Sequence, residues 1–121
     1  MKRTALIVDD SPSMRAMVAH TLEVAGFQVL QGEDGQKALA HLDGRQIDII
    51  VTDLNMPVMD GIQFIKHVRS LPTYKFVPVL MLTTESQESR KLEGKKAGAT
   101  GWLVKPFNPD ALIGVINKVV R

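Results

Sequence analysis

The chain has 121 residues, enough for one domain and too few for a second, and 45% of them are hydrophobic, ample for a core. A net charge of +2 is too small to argue for nucleic-acid or membrane-surface binding, and the absence of cysteine excludes a disulfide framework and thiolate chemistry. The start is basic then apolar, but Asp9 and Asp10 cut the run far short of a signal peptide, and no stretch approaches a membrane span. A soluble, cytoplasmic single domain is expected.

Short β-branched and apolar runs at Thr4–Val8, Phe27–Gln31, Ile47–Thr52, Val77–Leu82 and Gly101–Val104 read as strands, and stretches of helical periodicity separate them. Ser11-Pro12 opens the first helix with a capping hydroxyl and a proline at the first helical position. Met14, Val18 and Leu22 follow on one face with Met17 alongside, and Gly26 closes the helix. Asp34 caps a second helix with Ala38, Leu39 and Leu42 inward, stopped at Gly44. Asp60 caps a third with Ile62, Ile65 and Val68 inward. Asn108-Pro109 opens the last, with Leu112, Ile116 and Val119 on one face. Ser86–Ala97 stands apart: Leu92 and Ala97 are its only apolar residues, and Arg90, Lys91, Lys95 and Lys96 crowd it. It reads as a thin surface helix with little to hold it in place.

Strands alternating with helices imply a parallel sheet covered on both faces, and ligands of such folds sit at the carboxyl ends of the strands. The third strand makes the strongest use of that rim. Ile49-Ile50-Val51-Thr52 delivers Asp53 to the strand's end, and Asn55-Met56-Pro57 then forces the chain out of the sheet. The other strand ends carry Asp9 and Asp10, Thr83 and Thr84, and Lys105. Asp9 and Asp10 read alone as helix-capping residues and Lys105 as a surface lysine, yet all converge on one rim. Clustered carboxylates repel unless a cation intervenes; Lys105 supplies one charge, and oxygen donors of this kind suit Mg²⁺. A strand-end carboxylate beside a metal and an ammonium is equipped for phosphoryl transfer, with Thr83 able to hydrogen-bond the product. His20, His41 and His67 lack ligand spacing, and Met14, Met17 and Met81 read as core filler.

These residues fall into recognisable wording. Leu6-Ile7-Val8-Asp9-Asp10-Ser11, Thr52-Asp53-Leu54-Asn55-Met56-Pro57-Val58-Met59-Asp60-Gly61, Leu82-Thr83-Thr84-Glu85 and Gly98-Ala99-Thr100-Gly101-Trp102-Leu103-Val104-Lys105-Pro106-Phe107 resemble the receiver domains of two-component response regulators, over essentially residues 1–121. The resemblance implies a doubly wound five-stranded parallel sheet in the order 2-1-3-4-5 with five helices, a flavodoxin-like, CheY-like fold. It makes Asp53 the phosphoacceptor and Asp10, Asp53 and the Asn55 carbonyl the Mg²⁺ ligands, with Asp9 acting through water. Thr83 and Lys105 would hold the phosphoryl group, Asn55 and Glu85 would tune its hydrolysis, and Thr83 and Trp102 would form the output switch. The resemblance further implies a Lys105-Pro106 bond that is often cis.

Taken as a bare receiver, the chain is expected to carry no DNA-binding domain. The wording around Asn55, Glu85 and Trp102 is similar to chemotaxis regulators of the CheY type. That implies a chemotaxis histidine kinase as donor and the flagellar motor switch as target. It leaves room for a phosphatase partner, and it makes the protein a monomer with no catalytic activity beyond its own phosphorylation and slow dephosphorylation. In the resting state Trp102 is expected to stand at least partly outward. Leu54 departs from the enterobacterial form, which carries tryptophan there. The main alternative is a phosphorelay intermediate or phosphate sink. A haloacid-dehalogenase-type phosphatase would need a second Asp where Asn55 stands, and an FMN carrier would not place two carboxylates in its phosphate loop.

Overall fold

In the computed structural model, which describes residues 2–120, strands β1 (Thr4–Val8), β2 (Gln28–Gly32), β3 (Ile49–Thr52), β4 (Val79–Thr83) and β5 (Gly101–Val104) form one parallel sheet in the order β2-β1-β3-β4-β5. Between and after them run helices α1 (Pro12–Val24), α2 (Gly35–Leu39), α3 (Gly61–Ser70), α4 (Glu88–Ala97) and α5 (Pro109–Val119), with a short 3₁₀ turn at Pro72–Tyr74. This is the expected doubly wound sheet with five helices. Strand side chains alternate between two cores. Leu6, Val8, Ile50, Val79 and Met81 pack with Phe64, Ile65 and Val68 of α3; Ala5, Ile7, Ile49, Val51, Leu80 and Leu82 pack with α1 and α5.

Local chemistry starts the helices as expected. Ser11 accepts from the Met14 N–H, Asp34 from the Lys37 N–H, Asp60 from the Gln63 N–H in a full capping box, and Asn108 from Asp110 and Ala111. Packing corrects other expectations. Met17 is 55% exposed, because Val18, Ala19 and Leu22 fill the inward face of α1. The second helix is only five residues long; Leu42 lies beyond it but still reaches the core. Three strands start later than the apolar runs. Phe27 closes α1 through its bond to the Leu22 carbonyl, Ile47 precedes the first pairing of β3, and the Val77 carbonyl is taken by the Arg69 guanidinium at 2.5 Å.

Helix α4 is as weakly held as its composition predicts. Helix α3 buries Phe64, Ile65 and Val68 completely, and each such side chain contributes roughly 1.5–3 kcal/mol. The sole buried residue of α4 is Gly94, Leu92 is 52% exposed, and the N-cap Gln87 makes no capping hydrogen bond. Its other end is fastened. Gly98, in the left-handed region at φ 116°, presents its carbonyl to Arg69 Nε at 3.2 Å and Nη2 at 2.7 Å.

Candidate functional site

The sheet order reverses direction between β1 and β3, so the carboxyl ends of those strands flank the switch-point crevice. The register Val8↔Thr52 sets Asp9 beside Asp53, and the Asp53 N–H donates to the Val8 carbonyl at 2.8 Å. Asp9 is buried and doubly pinned. Its Oδ1 accepts from the Ser11 N–H at 2.9 Å, and its own carbonyl accepts from Arg15 Nη1 at 2.7 Å. Asp10 is exposed next to it. Asp53 is 9% exposed; its Oδ1 accepts from the Leu54 N–H at 2.7 Å, which leaves Oδ2 facing the rim.

Lys105 closes the cluster from the far side of the sheet. Its backbone N–H donates to the Thr83 carbonyl at 2.8 Å, extending the β4–β5 ladder, and its Nζ donates to Asp9 Oδ2 at 2.7 Å and Asp53 Oδ2 at 3.1 Å. Burial alone would push the ammonium pKa down; the hydrogen bond to Asp9 and the charges of Asp53 and Asp9 outweigh it, so the net direction is up. The Lys105-Pro106 bond is cis.

Single oxygens of Asp9, Asp10 and Asp53 lie within 4.8 Å of one another. An all-carboxylate set at this spacing fits a hard divalent cation such as Mg²⁺, and these are the residues that would hold it. When bound, the ion would neutralise negative charge at the Asp53 carboxylate. The structure places Asn55 on the exposed loop directly after β3.

Thr83 ends β4 fully buried, and its Oγ1 accepts from the Glu85 N–H at 3.2 Å. The Glu85 carbonyl in turn accepts from Trp102 Nε1 at 3.0 Å. The indole is partly exposed and packs against α4 at Gly94. Thr84, the next residue, is exposed.

Two features of the Asp53 loop escape a reading of the sequence. Gly61 opens α3 so close beneath the Asp53 peptide that a Cβ there would lie 2.3 Å from the Asp53 carbonyl oxygen. Val58 holds φ 71°, strained for a β-branched residue, with the Met59 N–H bonded to the Pro57 carbonyl at 2.7 Å. The Asp-Gly pair reads locally as a helix start, and nothing local announces the close approach. Arg15 and Arg69 carry no motif either; Arg15 reaches back to the Asp9 carbonyl, and Arg69 reaches the distant Gly98 carbonyl.

A doubly wound sheet whose switch point gathers three aspartates and one clasping lysine defines a class, the receiver modules of two-component signalling. The chain belongs to the response regulator receiver domain family, whose model matches residues 5–117. It is similar to the chemotaxis protein CheY4 of Vibrio cholerae, at 51% identity and TM-score 0.95, covering 99% of this chain and 100% of that one. It is 39% identical over 109 residues to the chemotaxis protein CheY1 of Helicobacter pylori, 88% of each. It is also 37% identical over its whole length to the phosphate regulon transcriptional regulatory protein PhoB of Escherichia coli, and spans about half (53%) of that protein.

Proposed function

We propose that this receiver accepts a phosphoryl group on Asp53 from a phosphohistidine donor, and that the modification controls a partner through the α4–β5–α5 face. The observation that carries this reading is the Lys105 clasp: one ammonium bonded to both Asp9 and Asp53, with Asp10 completing an acidic trio at the switch point. Asp53 Oδ2 attacks phosphorus; the O–P bond forms as the N–P bond to the donor imidazole breaks, and the leaving imidazole nitrogen takes a proton from solvent. Lys105 neutralises charge gathering on the phosphoryl oxygens, and Thr83 donates its hydroxyl to one of them. Asp10 and Asp53 would hold Mg²⁺ directly, with the Asn55 carbonyl as a further ligand and Asp9 acting through water.

Asn55 and Glu85 lie on the loops that follow β3 and β4, flanking the approach of a hydrolytic water, so they tune the phosphoryl lifetime. The protein performs no other catalysis. Likeness to CheY4 and CheY1 supports a chemotaxis kinase as donor and the flagellar motor switch as target, with the protein acting in the cytoplasm. Among the described residues no helix is long and apolar enough to cross a membrane.

The test is capture from lysate with the protein locked by beryllofluoride and Mg²⁺. Recovery of a motor switch protein with the locked form, and not with Asp53→Asn, supports this output. Recovery of only a histidine kinase and its phosphotransfer partners would favour the phosphorelay or phosphate-sink reading.

A further inference from the structure

Gly94 sits where the thin helix meets the indole. A Cβ built on it would lie 2.8 Å from Trp102 Cζ3, 3.3 Å from Cε3 and 3.9 Å from Cη2. The first of these distances is shorter than packed carbons tolerate, so a side chain at position 94 and the indole cannot both keep their places. What yields is decided by what is fastened. The backbone of Trp102 is locked in the ladder by Met81↔Trp102 and its neighbours. One turn beyond Gly94, the helix end is tied through Gly98 to Arg69. The atom nearest the added Cβ belongs to the outer ring of the indole, which a side-chain rotation removes.

Glycine is also a poor choice for the middle of a helix with so few contacts. Its presence there goes with the volume of the aromatic it faces. Gly114 of α5 makes the contrast, since a Cβ there would meet nothing within 4 Å.

We infer that Gly94 is a positioning residue for the output switch: its missing side chain forms the notch in α4 that lets the Trp102 indole lie against the helix with its N–H on the Glu85 carbonyl. Any side chain there moves the indole outward from the helix side, without touching the aspartate cluster. This rests on the reading of Trp102 as the switch aromatic. By reciprocity, a variant biased outward also binds a phosphoryl mimic less well.

The experiment compares Gly94→Ala with the control Gly114→Ala. Trp102 is the only tryptophan, so its emission, its acrylamide quenching and its indole N–H resonance report this site alone. Gly94→Ala should red-shift the emission, increase quenching and move the N–H resonance towards that of a solvent-exposed indole, before any ligand is added. Its affinity for beryllofluoride in Mg²⁺ should fall about fivefold, the loss of one hydrogen bond. Gly114→Ala should leave all four readouts at wild-type values. A melting series covers poor folding: Gly94→Ala should lower Tm in the native background and raise it in Trp102→Leu, where the added Cβ meets no indole. Wild-type quenching and N–H shift in Gly94→Ala, or the same sign of Tm change in both backgrounds, would overturn the notch. A wild-type protein whose Trp102 ignores beryllofluoride would instead sink the switch reading, and the ligand-free comparison would still judge the notch.

Discussion

The indole N–H of Trp102 donates to the backbone carbonyl of Glu85 at 3.0 Å. The same residue's N–H rests on the Thr83 hydroxyl oxygen, so Glu85 joins the buried end of β4 to the aromatic of β5 through two hydrogen bonds. A pull on Thr83 would reach Trp102 through one residue. Thr83→Ala removes the first link and should blunt the change in Trp102 fluorescence on adding beryllofluoride with Mg²⁺, while Asp53 still reacts. A full fluorescence response in that variant would show that the two residues are not coupled.

Gly61→Ala should be among the most damaging small substitutions in the chain. Its Cβ would sit 2.3 Å from the Asp53 carbonyl oxygen, with Leu54 Cα only 3.0 Å away, so strand end or helix start must shift. A loss of about 2–3 kcal/mol is expected in denaturant melts, together with slower labelling of Asp53. Wild-type stability would mean that the loop has more freedom than the contact implies.

Lys105→Met strips the ammonium from two carboxylates in a site where all three side chains are about a tenth exposed or less. Breaking such a pair costs about 3–5 kcal/mol, so the variant should melt early and recover part of the loss in Mg²⁺. The pH dependence has a definite sign. A lysine whose pKa is raised on folding contributes its full share below the unfolded value of 10.5 and loses it as pH rises through the higher folded value. Wild-type stability should therefore fall above about pH 10.5 more steeply than that of Lys105→Met. Parallel curves would contradict the pairing.

Asp10→Ala should weaken Mg²⁺ binding strongly and leave the fold intact or slightly firmer, because it removes one of three clustered carboxylates. Titration calorimetry of that variant decides the matter; an unchanged Mg²⁺ affinity would count against this trio as the metal site.

Much of this architecture is legible from residues that act locally. Ser11-Pro12, Asp34, Asp60 and Asn108 cap helices with their own side chains, so the starts of four helices follow from short stretches of chain. The gathering of Asp9, Asp10, Asp53 and Lys105 follows from one further rule, that strand ends of a parallel sheet share a rim. What is not legible depends on how the elements pack in three dimensions. Met17 looks like core until Val18 and Ala19 take the inward face of α1. Gly61 and Gly94 look like a turn residue and a helix flaw until the Asp53 carbonyl and the Trp102 indole appear against them. Arg69 looks like one more surface charge until it reaches the Gly98 carbonyl.

If Asp53 is the phosphoacceptor, phosphoryl incorporation from acetyl phosphate in Mg²⁺, located by peptide mass spectrometry, must differ between wild type and Asp53→Asn. The variant keeps the shape of the side chain and removes its nucleophilic oxygen. Wild type should carry one acid-labile, base-labile phosphoryl group on the peptide containing Asp53, and Asp53→Asn should carry none. Undiminished labelling of Asp53→Asn, or a phosphoryl group on any other residue of the wild type, would contradict the account.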